Sequence, residues 1–111
     1  MNRFKIIVKS IVNKYGGDIN SDELFLDIDS GQDHVEDLNI EGNGDKLVVC
    51  QYYTQDGNLI RDPQVKFDIS EEGWTAVEYR DDPHTHKFDS SGLSIDTILS
   101  RWATNLEKQF L

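Results

Sequence analysis

Apolar residues near the N-terminus recur with the period of a helix. Phe4, Ile7, Val8, Ile11 and Tyr15 stand at i, i+3, i+4, i+7 and i+11, and Lys5, Lys9 and Asn13 fall on the other side. Gly16 and Gly17 stop the pattern, because glycine takes the left-handed conformation that closes a helix without a Cβ clash. Lys14 in the last turn suits the negative end of the helix dipole.

The period then shortens to two. Leu24–Ile28 is a short apolar run stopped by Ser30 and Gly31, and in Val35–Glu41 Leu38 and Ile40 alternate with Asp37, Asn39 and Glu41. Gly42-Asn43-Gly44-Asp45 is a turn signal, with several positions that reach positive φ cheaply. Leu47–Tyr53 is the most β-prone stretch and is apolar on both faces at its centre, which predicts a place inside the sheet. Asp56-Gly57-Asn58 turns the chain again. Val65, Phe67 and Ile69 alternate with Gln64, Lys66 and Asp68, giving one buried and one wet face. Pro63 lacks an N–H for the ladder, so it marks the start of that strand or a bulge. Glu71-Glu72-Gly73 reads as a hairpin loop with glycine in the bulge position, and Trp74–Tyr79 as the last strand. Asp81–Gly92 reads as a polar loop. Ser94 is the expected N-cap of a second helix, on which Ile95, Ile98, Leu99, Trp102, Leu106 and Phe110 line one face.

Short turns between successive strands require antiparallel pairing. The expected fold is therefore α+β: a meander of about five antiparallel strands, with N- and C-terminal helices packed on one face, in a single domain over residues 1–111. No apolar run approaches the roughly 18 residues of a membrane span. Lys5, Lys9 and Lys14 break any signal-peptide pattern. The single cysteine, Cys50, excludes an internal disulfide framework, and a reducing cytoplasmic setting is expected.

Charge changes the picture. The chain of 111 residues carries 21 acidic and 11 basic residues, a net charge of −10. Between Tyr15 and Asp45 there is no lysine or arginine, and the ten carboxylates there equal the whole net charge. The remainder is neutral. Direct nucleic-acid binding is disfavoured, because phosphate affinity comes from lysine and arginine. A basic protein surface is the favoured partner, with Asp22, Glu23, Asp27, Asp29, Asp33, Glu36, Asp37 and Glu41 as the expected binding residues. Carboxylates at alternate strand positions lie roughly 6.5–7 Å apart, an arrangement comparable to phosphates along a nucleic-acid strand. The partner expected on that ground is a nucleic-acid-binding protein, including restriction or CRISPR effectors that such a mimic would inhibit. The competing expectation is a structural or regulatory domain that the carboxylates merely solubilise.

Catalytic signatures are missing from the sequence: there is no nucleophile elbow, zinc-protease motif, phosphate loop or dinucleotide fingerprint. No enzymatic activity and no cofactor is expected. His84 and His86, at i and i+2 with Asp82 nearby, are the one pair a strand could aim at a shared metal ion, but no third fixed ligand is evident. Asp27–Asp33 has the density of a calcium loop, yet its glycine falls one place early and the terminal glutamate is absent. Cys50 lies in the central strand pattern and reads as a buried structural thiol.

The stretch from Gln51 to Phe67 contains Tyr53, Gln55, Gly57, Asn58, Leu59 and the Asp62-Pro63 pair, spaced before an alternating strand. With Trp74, Tyr79 and the closing Trp102-Ala103-Thr104-Asn105-Leu106-Glu107-Lys108-Gln109-Phe110, it resembles a family of small domains of unknown function from bacteria, plasmids and phages. The resemblance covers roughly residues 46–111, and the acidic segment before it has no counterpart. It implies helices mixed with antiparallel strands, and it implies no activity.

Overall fold

The computed structural model describes residues 2–111. The chain forms α1 (Asn2–Lys14), β1 (Leu24–Ile28), β2 (Asp37–Gly42), β3 (Lys46–Gln55), β4 (Asn58–Asp68), β5 (Thr75–Asp81), β6 (Thr85–Phe88) and α2 (Asp96–Phe110). The strands form one antiparallel sheet in the order β1-β2-β3-β4-β5-β6. The meander has six strands where the sequence predicts five.

The extra strand is β6, inside the stretch expected to be a polar loop. It pairs with β5 through Arg80↔His86 and Glu78↔Phe88. Its residues are exposed or half-buried, so no apolar alternation advertises it.

The turns follow local chemistry. Gly16 takes φ 84 at the end of α1, as the C-terminal glycine should. Asp56 and Gly57 both take positive φ, which makes the β3–β4 connection a two-residue turn of the type that matches strand twist. Between Cys50↔Gln64 and Tyr52↔Arg61, Gln51 faces the two residues Asp62 and Pro63, so Pro63 sits in a bulge. Two expectations fail. Gly73 does not take positive φ, and Trp74 lies in a longer loop before β5. The cap of α2 is Ile95, with no side-chain bond, and Leu99 N–H donates to its carbonyl at 3.0 Å. Ile95 is buried in the core, so apolar burial fixes the start of this helix and leaves Ser94 one position too early.

Both helices cover the same face of the sheet. Phe4 of α1 stacks at 5.4 Å from Phe67 of β4 and 5.2 Å from Trp102 of α2, and Phe67 meets Trp74 at 5.7 Å. Leu38, Ile40, Leu47, Val49 and Val65 complete a floor with no solvent exposure. Tyr15, expected on the buried stripe of α1, lies beyond the helix and is exposed, with Lys14 Nζ 5.4 Å from its ring centre. Polar contacts tie the helices together: Arg3 Nη1 donates to Thr104 Oγ1 at 2.8 Å, and Lys14 Nζ to the Phe110 carbonyl at 2.9 Å. The second places a cation at the negative end of the α2 dipole.

The core holds one buried polar relay. Trp102 Nε1–H donates to Gln51 Oε1 at 2.7 Å, and Gln51 Nε2 donates to Gln109 Oε1 at 2.8 Å. Trp102→Phe strips Gln51 Oε1 of its donor and leaves a small void where the second ring of the indole packed. Urea denaturation should show a loss of at least roughly 1–3 kcal/mol, the cost of an orphaned buried acceptor, with the void adding to it.

Candidate functional site

Strand alternation sorts the acidic residues. Leu24 and Ile28 of β1 and Leu38 and Ile40 of β2 are buried towards the helices. Phe25, Asp27, Asp37, Asn39 and Glu41 therefore project from the opposite, uncovered face of the sheet. Asp27 pairs in register with Asn39, and Phe25 with Glu41. Asp22 and Glu23 lead into β1. Asp29 and Asp33 lie in the connection to β2, where Asp29 Oδ1 accepts from Gly31 N–H at 2.8 Å. Seven of the eight expected residues thus gather on the β1–β2 edge and its loops.

The ion pairs show what this edge lacks. Among the described residues, they join Arg3 to Glu107, Lys46 to Asp68, Arg61 to Asp82, and both Lys66 and His86 to Glu78. None uses any of the ten carboxylates between Tyr15 and Asp45. The basic residues of β3 and β4 (Lys46, Arg61 and Lys66) pair with carboxylates from the second half of the chain, which leaves the β1–β2 edge without an ion pair among the described residues. Asp27 Oδ1 does accept a hydrogen bond from the Tyr52 hydroxyl at 2.7 Å, and that bond, more than burial, pushes the phenol up to about 12. At the centre of this edge Phe25 is 64% exposed, an apolar side chain among anions.

Glu36 is the residue placed elsewhere. It neighbours Asp37, so alternation turns it to the helix side, into a cleft of about 350 Å³ between the sheet and α2. Asp62 and Asp81 share that cleft, with the Gln51–Trp102–Gln109 relay along one wall and Asn105 beside it. Burial raises Glu36 to about 7, helped by its hydrogen bond to Asp62 and by the charges of Asp62 and Asp81. Burial and Asp62 also raise Asp81, whose Oδ2 accepts from the Tyr79 hydroxyl at 3.3 Å. Glu36 Oε2 is buried without a donor among the described residues. In this cleft Glu36 holds a proton close to neutral pH.

That proton has a consequence for stability. A carboxyl raised by folding binds more protons in the native than in the unfolded chain. Its contribution is therefore full below the unfolded value of 4.5 and is lost as pH rises through about 7. Glu36→Gln mimics the protonated form. Thermal unfolding of the variant should depend less on pH between 5 and 8 than the native chain, and its midpoint should exceed the native one at pH 8.

The other expected chemistry is dispersed. His84 sits in the β5–β6 turn, and His86 Nε2 lies 2.9 Å from Glu78 Oε2. Asp82 Oδ2 is held by the Arg61 side chain at 2.8 Å and backbone N–H at 3.0 Å, which lowers its pKa. No group of three or more metal-ligating side chains forms among the described residues. Cys50 is buried in β3, and burial pushes its thiol up to about 12. No described helix is long and apolar enough to cross a membrane.

Glu36 apart, the cleft residues carry no signature of chemistry in the sequence. Trp102, Asn105 and Gln109 stand at i, i+3 and i+7 on α2, a polar-edged stripe beside the apolar one, and Asp62-Pro63 forms the bulge opposite Gln51. The stripe was the signal available.

Fold and site together define a small α+β domain: an open six-stranded meander, covered by helices on one face and anionic along one edge. The chain belongs to the family described as a domain of unknown function, DUF6908, whose model matches residues 6–111. The match begins forty residues before the expected stretch of resemblance, so the acidic third lies inside the family domain. No curated protein and no solved structure matches the chain.

Proposed function

We propose that this domain is a non-enzymatic protein-binding module whose β1–β2 edge docks on a basic protein surface. One observation carries the reading: the carboxylates of this edge gather together and none is ion-paired among the described residues, while Lys46, Arg61 and Lys66 of the neighbouring strands are paired with other carboxylates. Uncompensated charge of one sign steers an oppositely charged partner and selects against others. Alternate strand positions space Asp37, Asn39 and Glu41 at roughly 6.5–7 Å intervals, which supports a nucleic-acid-binding protein as the partner class. A protein that imitates a nucleic-acid strand in this way would act as an inhibitor of that partner.

The test is affinity capture from a lysate, followed by titration of the captured protein at about 0.05 M and about 0.5 M salt, since screening shortens the Debye length several-fold over that range. Affinity should fall by at least tenfold, and duplex DNA should displace the domain. A partner whose affinity ignores salt overturns the anionic docking surface. A partner that binds DNA and this domain simultaneously removes the mimic.

A further inference from the structure

The sheet has two open edges, and they differ. β6 is four residues long and carries His86 and Lys87. Short length and lysine are the usual means by which an edge strand is kept from pairing with other chains. β1 has neither lysine nor proline, and its register with β2 runs without a bulge from Leu24↔Gly42 to Ile28↔Leu38. Nothing in the described structure pairs with its outer edge. Alternate N–H and C=O groups of β1 therefore face outward as an unused ladder.

We infer that β1 accepts an extended segment of a basic protein as a seventh strand. Charge decides between the occupants such an edge could take. A second copy, pairing β1 with β1, would bring Asp22, Glu23, Asp27 and Asp29 against their equivalents within a Debye length, where like charges repel. The acidic flanks thus guard the edge against self-association and leave it open to a cation-rich strand. Backbone pairing supplies affinity in this mode and alternate side chains supply specificity. Basic side chains at alternate positions would meet Asp27 and lay their stems along Phe25 on the uncovered face, while the apolar ones between them fall on the helix side beside Leu24 and Ile28. This deepens the proposed function, and it rests on the same anionic edge.

The probe is a seven-residue peptide of alternating lysine and valine, acetylated and amidated. Two analogues are made, one N-methylated at every valine and the other at every lysine. Both keep every charge, but strand addition uses only one of the two sets of amides. One analogue should bind like the parent and the other at least tenfold more weakly, and the parent should slow hydrogen exchange at Leu24–Ile28 but not at Thr85–Phe88. Equal affinities for the two analogues, or no binding of the parent, overturn strand addition. Concentration-dependent protection of β1 without peptide also overturns it, since the occupant is then a second copy. Equal but salt-sensitive binding of both analogues leaves the anionic docking surface standing, so the two proposals fail separately.

Discussion

Phe67→Ala should be the most damaging single substitution in this chain, costing about 3–5 kcal/mol of folding free energy. Phe67 has no solvent exposure and touches both Phe4 and Trp74, so it joins a helix, the sheet and the β4–β5 loop. Its removal leaves a void that the α1 side, the loop side and the rigid strand cannot all close. A domain of this size is stable by only roughly 5–15 kcal/mol, so the loss is a large share. Urea titration followed by tryptophan fluorescence reads it directly, because Trp74 and Trp102 lie within the same aromatic group. A midpoint shift smaller than that of Trp102→Phe would show that Phe67 is not the centre of the core.

The second large effect concerns binding. The fourfold variant Asp27→Asn, Asp29→Asn, Asp37→Asn and Glu41→Gln removes four negative charges from one edge. With roughly 0.5–1 kcal/mol for each partly screened charge, affinity for the basic partner should fall by roughly thirtyfold to a thousandfold. Most of the change should lie in the association rate, and the slope of affinity against salt should flatten. The fold should persist, because none of the four joins an ion pair among the described residues. Three local costs are expected: the Tyr52 hydroxyl, the Gly31 N–H and the Ser30 N–H lose charged acceptors at Asp27, Asp29 and Asp37. Surface plasmon resonance at two salt concentrations checks both parts, and unchanged kinetics would exclude the edge as the binding surface.

Much of the architecture is legible in the sequence because local chemistry and the tertiary fold agree. The stripe from Phe4 to Ile11 is the buried face of α1. Val65 and Phe67 face the core, as their alternation requires, and Asp56-Gly57 turns the chain in the way its residue types favour. The failures share a cause. β6 is specified by pairing with β5 and by the contact of His86 with Glu78, partners that single-strand periodicity does not encode. At Ser94 a local capping preference yields to burial of Ile95.

The acidic edge was readable because charge clusters along the sequence as well as in space. Glu36 shows the limit of that reading, and also its remedy. It adjoins Asp37, and two neighbours at the start of a strand cannot point to the same face. The cleft was not readable, since it joins residues 36, 51, 62, 81 and 102 from five different elements or connections. Only the register of the sheet and the docking of α2 bring them together.

The meander also dictates how this molecule assembles. Every strand pairs with its successor along the chain, so the sheet grows by closing short loops, each entropically cheap. The layer that covers it is different: the bond from Arg3 to Thr104 spans 101 positions. Docking of α1 against α2 is thus the costliest loop closure in the fold, and the apolar floor of the sheet stays wet until the two ends of the chain meet.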